Sequence, residues 1–207
     1  MLVNTGMSFV SYEAFTSPGM RPKLLSPVPE GSIQGSSINS EAKPYPVNLT
    51  RASSWFLGAS SQEAGEEATN LKSYNLSIPS LSIEDAVVEV GTDDLSKSLI
   101  QYKGDSEPGR LGGIVVFGHS TIPQLFNPKN YLSIFSTLPT VNLGEEVTVK
   151  YDGRTYVYQI EEKFEVKPSD TWVLEARYDD SYITLITCTP PGTYLRRLVV
   201  KGRLIKN

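Results

Sequence analysis

The stretch that decides the fold is Thr184-Leu185-Ile186-Thr187-Cys188-Thr189-Pro190-Pro191-Gly192, followed by Arg196-Arg197-Leu198-Val199-Val200. It joins two strand-like runs, Tyr182 to Cys188 and Arg197 to Ile205, through a turn rich in proline and glycine. If the runs pair antiparallel, the last residue of the first lies beside the first residue of the second, at about 5 Å. We therefore expect Arg197 next to Cys188, where its guanidinium would favour the thiolate and hold a developing oxyanion or a substrate carbonyl.

The only cysteine and the only histidine of the chain both lie at the ends of strand-like runs. Cys188 ends the run from Tyr182, and His119 follows the run from Gly113 to Gly118. A thiol, an imidazole and a guanidinium at strand ends are the groups that a cysteine nucleophile needs for acyl transfer. Each also has a structural explanation: a buried small side chain, a hydrogen-bonded histidine, and solvated charges on an edge strand. The spacing by itself leaves both explanations open.

The composition excludes several classes of function. The chain has 207 residues and a formal net charge of -4, so it lacks the basic surface of a nucleic-acid-binding protein. Its single cysteine can form neither an internal disulfide nor a thiolate metal site. No run of about 18 apolar residues, the length of a membrane-spanning helix, occurs in the sequence.

The composition also divides the chain. Residues 1–75 are rich in serine, proline and glycine without a sustained helical or strand period, and we interpret them as a flexible N-terminal spacer. Within it, Trp55-Phe56-Leu57 is an apolar exception that can dock on the following domain. Residues 76–207 alternate short strand-like runs with turn residues, and Asp152-Gly153 between two such runs is a strong hairpin signal.

Two segments of the second part have the pattern of short helices. Asp93 to Ile100 has an acidic start and leucines four residues apart, and Asn130 to Phe135 is the other candidate. Seven or eight short strands with so few helices predict an all-β domain in the form of a closed or nearly closed barrel.

The segments around the candidate residues resemble those of sortases, the cysteine transpeptidases of the bacterial cell surface. Thr184 to Gly192, with Arg197 to Val200, resembles the family's active-site signature, and Gly118-His119-Ser120 resembles its histidine segment. Upstream and intervening segments follow in the family's order, so that the resemblance covers essentially all of residues 76–207.

This resemblance implies a closed eight-stranded sortase-type barrel with one or two short helices and with His119, Cys188 and Arg197 as catalytic residues. Cys188 would attack a carbonyl within a Leu-Pro-x-Thr-Gly-like sorting motif near the C-terminus of a surface protein, giving a thioacyl enzyme. An amine of a peptidoglycan precursor or of another protein would resolve that intermediate, with His119 moving the protons. Thr187 resembles a family position that supports the oxyanion or the substrate.

Departures from the family pattern bear on the kind of sortase. The Cys-Thr-Pro-x-Gly loop is closer to non-class-A groups, but the aspartate-proline-aromatic lid tripeptide of pilin-polymerising members is missing. No cofactor is implied, although calcium at Glu161, Glu162 and Glu165 is an alternative to a solvated acidic face.

The family resemblance also implies a location, the extracytoplasmic face of a bacterial cell membrane. Most members carry an N-terminal membrane anchor that this sequence lacks. We therefore expect that the N-terminus has been trimmed. A misplaced start and an unusual soluble member are the alternatives, in that order.

Other classes of function compete with this one. A non-catalytic surface β-domain for binding would have a structural, unreactive Cys188. An enzyme of the L,D-transpeptidase kind would hold its histidine and cysteine close in sequence, whereas 69 positions separate His119 from Cys188. A thiol protease would differ from a sortase only in using water rather than an amine to resolve the acyl enzyme.

Overall fold

The structure is a computed structural model, and it describes residues 50–57, 72–103 and 106–205. Its strands are β1 (Ser73–Ile78), β2 (Ile83–Val90), β3 (Leu99–Tyr102), β4 (Ile114–Phe117), β5 (Glu146–Tyr151), β6 (Arg154–Val166), β7 (Tyr182–Thr189) and β8 (Arg196–Leu204). They close into one barrel in the order β1-β2-β3-β4-β7-β8-β6-β5. The prediction of an all-β, closed eight-stranded barrel is therefore confirmed.

The helices of the described residues are short turns of 3-10 helix. They are Ala52–Ser54, Pro79–Leu81, Pro123–Leu125, Leu138–Thr140 and Thr171–Leu174. None of the helices in these ranges is long and apolar enough to cross a membrane.

Strand β7 is buried along its whole length because both of its faces are covered. It lies between β4, to which it is parallel, and β8, to which it is antiparallel. Successive side chains of a strand point to opposite faces. Ile183 and Leu185 accordingly pack in the barrel interior, while Ile186 and Cys188 belong to a second apolar cluster.

This second cluster, which we call the outer-face cluster, covers the outside of β4, β7 and β8. It joins barrel residues to three residues of the N-terminal segment 50–57, and Trp55 is its largest fully buried side chain. The expected docking of that segment is thus visible for Trp55 and Phe56, whereas Leu57 is exposed. The members of the cluster are Ala52, Trp55, Phe56, Leu95, Ile100, Val115, Phe117, Val166, Val173, Ile186, Cys188 and Val199.

The tight hairpin predicted at Asp152-Gly153 joins β5 to β6, with Tyr151 paired to Arg154. Both turn residues have positive φ, 48° for Asp152 and 67° for Gly153. Two positive φ values define the type I′ turn, whose twist matches that of the flanking strands. This hairpin signal was therefore correct.

Neither of the two segments predicted to be short helices is helical. Asp93 to Ile100 forms a turn followed by the start of β3, and the reason lies in its apolar residues. Leu99 packs in the barrel interior and Ile100 packs in the outer-face cluster. Adjacent side chains that point to opposite faces are typical of a strand. Residues 130–135 instead form successive turns closed by bonds between residues three apart, such as Ser133 N to Asn130 O at 2.9 Å.

The predicted boundary between residues 75 and 76 lies within strand β1. Strand β1 begins at Ser73, just before the predicted start of the barrel. Residues 1–49 and 58–71 of the predicted spacer lie outside the described residues, so the spacer remains a prediction.

Candidate active site

Cys188 and Arg197 are register partners on the antiparallel pair β7 and β8. The expected juxtaposition is therefore present, and it arises from the short connection between two consecutive strands. Arg197 is buried with 3% of its surface exposed, whereas its neighbour Arg196 is exposed and lies 3.5 Å from Glu165. Period 2 separates the two arginines, and only Arg197 shares the face of Cys188.

The thiol of Cys188 sits in an environment that opposes ionisation. Only 5% of the residue is exposed. Burial raises the pKa of the thiol, and the nearby Arg197 guanidinium acts in the opposite direction without overcoming it. In the described conformation the neutral thiol is therefore favoured.

His119 reaches the same end of the barrel from the parallel strand β4. Phe117 pairs with Ile186, and Gly118 N continues the ladder to Ile186 O at 3.1 Å. Two residues beyond that pair on each strand stand His119 and Cys188. Ser120 links the two strand ends, because its Oγ donates a hydrogen bond to Cys188 O at 2.9 Å. The parallel register thus brings the histidine and the cysteine to the same end of neighbouring strands.

The imidazole of His119 is half-buried and hydrogen-bonds to the backbone of Ser120 and Leu132. Nδ1 lies 3.0 Å from the carbonyl oxygen of Ser120, which can only accept. In the neutral ring, this contact favours the tautomer with the proton on Nδ1, in which Nε2 is the basic nitrogen. Burial lowers the pKa of His119, while hydrogen bonds to the backbone of Ser120 and Leu132 raise it. The net effect favours neutral imidazole at neutral pH.

Thr187 is fully buried on the opposite face of β7 from Cys188. Its Oγ1 donates a 2.8 Å hydrogen bond to the carbonyl oxygen of Gly118, the residue before His119. In this arrangement the hydroxyl proton is used to fix the β4 end, which suits a positioning role rather than direct contact with an oxyanion.

The guanidinium of Arg197 is occupied by backbone carbonyls. Nε and Nη2 both donate to Trp55 O, at 3.0 Å and 2.7 Å. Nη1 donates to Tyr194 O and to Arg196 O, each at 3.0 Å. The guanidinium carbon also lies 5.6 Å from the centre of the Trp55 ring. The side chain is therefore held in place by the N-terminal segment and by the loop before β8.

The segment 50–57, which we call the strap, covers the outer face beside these residues. The ring of Trp55 meets Phe117 edge to face at 5.5 Å and the imidazole of His119 at 6.4 Å. Asp93 anchors the strap, because its carboxylate accepts from Arg51 Nε at 3.0 Å and from Ser53 N at 2.6 Å. At the other end, Leu57 N donates to Pro168 O at 2.9 Å.

Sequence reasoning missed the role of the strap in this site. The one available signal was the apolar triplet Trp55-Phe56-Leu57 within a polar segment. It indicates docking but says nothing about which side chain the docked backbone contacts.

The three glutamates considered for calcium have separate cationic neighbours. Glu161 pairs with Arg203 at 3.0 Å, Glu162 lies 3.9 Å from Arg177, and Glu165 lies 3.5 Å from Arg196. Among the described residues, no group of three or more histidine, cysteine, aspartate or glutamate side chains is placed to hold a metal ion.

A closed eight-stranded barrel with a cysteine and an arginine paired on adjacent strands, and a histidine at the same end of the next strand, defines a class of cysteine acyl-transfer enzymes. The family model for the sortase domain matches residues 76–205, more than half of the chain. The chain belongs to the sortase family and is a cysteine transpeptidase. Comparison with curated protein sequences gave no match.

Solved sortase structures share this fold. A sortase C-1 from Actinomyces oris is 26% identical with a TM-score of 0.57, covering 65% of this chain and 73% of its own. A lid mutant of sortase A from Corynebacterium diphtheriae is 26% identical with a TM-score of 0.57, covering 70% and 76%. A sortase D5 transpeptidase from Clostridium perfringens, 24% identical with a TM-score of 0.55, covers 65% and 79% and supports the fold alone.

Proposed function

We propose that this sortase cleaves a Leu-Pro-x-Thr-Gly-like motif near the C-terminus of surface proteins and transfers the acyl half to an amine of the cell wall or of another protein. The observation that carries the proposal is the register pair of Cys188 and Arg197, with His119 at the end of the neighbouring parallel strand. These residues supply the nucleophile, the carbonyl-binding cation and the proton carrier of one acyl-transfer cycle.

The reaction begins with a neutral thiol and a neutral imidazole. The raised pKa of Cys188 and the lowered pKa of His119 both favour that state. As the sulfur bonds to the scissile carbonyl carbon, the thiol proton passes to Nε2 of His119. The imidazolium then gives this proton to the leaving amine when the C–N bond breaks, which leaves a thioacyl enzyme.

The second half of the cycle reverses the proton flow. The incoming amine loses a proton to His119 as its nitrogen bonds to the thioester carbon. The C–S bond breaks, the sulfur recovers the proton, and the new amide is released. Thr187 supports both halves by fixing the carbonyl of Gly118 beside His119.

Arg197 can hold a substrate carbonyl only after the strap has moved. Two of its N–H groups now donate to Trp55 O. A carbonyl oxygen of the substrate backbone could accept the same two bonds. Substrate binding and strap binding are therefore mutually exclusive at this guanidinium.

The proposed partners and location rest on membership of the sortase family. Clients would be surface proteins with a C-terminal sorting motif, and acceptors would be a peptidoglycan precursor or a protein amine, at the extracytoplasmic face of a bacterial membrane. Each step uses side chains of this chain, so the proposed mechanism includes no cofactor.

The test is mass spectrometry of the full chain with sorting-motif peptides and triglycine as the amine. We expect an acyl adduct on Cys188 that passes to triglycine, with both events lost in Cys188→Ala and in His119→Ala. A folded protein whose thiol alkylates but forms no acyl adduct with any peptide would contradict the proposed substrate class. A thiol that is inert even in a variant with a released strap would favour a binding module.

A further inference from the structure

A cavity of about 430 Å³ lies on the outer face of the barrel, outside the residues already assigned. Its floor is formed by β4 and β7, and the segment 171–178 forms a wall. An isolated bridge between Gly112 and Arg177 ties that wall to the loop before β4. Ligand sites in proteins have volumes of about 300–1,000 Å³, so the cavity has room for part of a peptide.

The cavity shares a strand face with the active site. Along β7 and β8, the rungs on this face are Cys188 opposite Arg197, Ile186 opposite Val199, and Thr184 opposite Lys201. The middle rung belongs to the outer-face cluster that Trp55 and Phe56 cover, and the Thr184 rung lines the cavity. Strand β7 ends at Thr189, one residue after Cys188. An extended ligand on this face can therefore run from Cys188 only in the direction of Thr184.

This ladder carries a cation at each end. Arg197 stands at the thiol, and Lys201 stands four residues further along β8. At about 3.3 Å per residue, the two rungs are about 13 Å apart. That separation matches about four residues of an extended peptide laid along the same face.

Lys201 is half-buried and forms no ion pair with a carboxylate of the described residues. Its Nζ lies 5.6 Å from the Trp172 ring centre and 5.9 Å from that of Phe164. Burial lowers the pKa of Lys201. The carboxylate of its register partner Glu162, which lies 3.9 Å from Arg177, raises that pKa from beyond ion-pair distance. A carboxylate placed in the cavity would therefore relieve the cost of an unpaired, partly desolvated ammonium.

The remaining charges of the cavity leave it net positive. Lys103 stands over the ring of Tyr102, and Arg177 is bound to Asp179 at 2.9 Å. Glu175 is the one carboxylate of the lining, and it is exposed. The half-buried charge that faces a ligand is thus that of Lys201.

We propose that this cavity binds an acidic side chain of the substrate immediately upstream of the sorting motif, with Lys201 as the residue that determines this specificity. The inference rests on the proposed function. The part of the substrate upstream of the cleaved bond stays attached to Cys188 during both acylation and transfer. A site that recognises this part therefore contributes to specificity in both steps. If the scissile bond joins threonine and glycine of the motif, the fifth residue before it is the first one beyond the motif, and about four residues of extended chain place it near Lys201.

The test uses peptides Ser-Ser-Z-Leu-Pro-Ala-Thr-Gly-Ser with Z as glutamate, glutamine or lysine, acting on the full chain. We expect kcat/KM for the glutamate peptide to exceed that for the glutamine peptide by about five- to tenfold. Raising the salt from about 0.05 M to about 1 M should shrink this ratio. Lys201→Met keeps the apolar stem against Trp172 and should abolish the ratio, whereas the matched control Lys150→Met on β5 should retain it.

Equal rates for the three peptides, or a ratio that Lys201→Met leaves unchanged, would overturn the cavity proposal while the proposed function stood. A preference seen only when glutamate follows the scissile glycine would overturn it as well. If no peptide acylates Cys188, calorimetry with Cys188→Ala separates the two proposals. Tighter binding of the glutamate peptide that depends on Lys201 would support the cavity alone, and equal or absent binding would overturn it.

Discussion

The carbonyl oxygen of Trp55 accepts two hydrogen bonds from the guanidinium of Arg197, at 3.0 Å from Nε and 2.7 Å from Nη2. In the proposed mechanism, a substrate carbonyl would accept from the same two N–H groups. The strap therefore occupies two N–H groups of the guanidinium that the proposed mechanism assigns to the substrate. The two hydrogen bonds of Nη1, to Tyr194 O and Arg196 O, do not involve the strap and would still hold the guanidinium once the strap moves.

Releasing the anchor of the strap should expose the thiol. Asp93→Ala removes the carboxylate that accepts from Arg51 and Ser53. Hydrogen bonds to charged groups contribute about 1.5–3 kcal/mol each, so the open population should rise about tenfold or more. We expect alkylation of Cys188 by iodoacetamide to accelerate by a similar factor, and kcat/KM for a sorting-motif peptide to rise.

Asp85→Ala is the matched control for that variant, because it removes an exposed aspartate that pairs with Lys150 away from the strap. Its alkylation rate should equal that of the wild type. An Asp93→Ala protein that remains folded and alkylates at the wild-type rate would show that the strap does not limit access to Cys188.

Replacing Arg197, the proposed carbonyl-binding residue, by lysine should abolish most of the activity. An ammonium cannot reproduce the planar fork that now makes four hydrogen bonds. We expect kcat/KM of Arg197→Lys to fall about 10²- to 10³-fold, as for other lost oxyanion donors. Arg196→Lys is the control, because Arg196 is exposed beside Glu165. Comparable losses of kcat/KM in the two variants would show that Arg197 does not bind the substrate carbonyl in the proposed way.

How much of this site could be predicted depends on the sequence distance that each contact spans. The pair of Cys188 and Arg197 follows from two consecutive strands and a short turn, so local pattern was sufficient. The hydrogen bond of Trp55 to Arg197 spans 142 residues, and that of Arg51 to Asp93 spans 42. Neither partner carries a periodic signal for such a contact.

Contacts between residues distant in sequence also explain why the start of β3 was predicted as a helix. Leu95 and Leu99 have helical spacing, but Leu99 and Ile100 bury on opposite sides of the sheet because β3 closes the barrel between β2 and β4. Closure is a property of all eight strands. The local pattern of Asp93 to Ile100 could not reveal it.

His119 should make stability depend on pH, and it is the only histidine of the chain. Burial lowers its pKa in the folded protein, so the unfolded chain binds a proton at higher pH than the folded one. Stability should therefore fall as the pH drops through the ordinary histidine range, about 6.5, toward the lower pKa of the folded state. We expect urea unfolding to show a larger loss between pH 7 and pH 5 for the wild type than for His119→Gln. Equal losses would mean that His119 titrates normally in the folded protein.

Thr187 should act through His119 rather than through the substrate. Thr187→Val removes the buried donor to Gly118 O and leaves that carbonyl unsatisfied, at a cost of about 1–3 kcal/mol in the free energy of unfolding. Displacement of the β4 end should lower kcat and change the pH profile of kcat/KM while KM stays nearly constant. Thr187→Ser retains the hydroxyl and should recover most of both properties. A large rise in KM with an unchanged pH profile would instead indicate that Thr187 contacts the substrate directly.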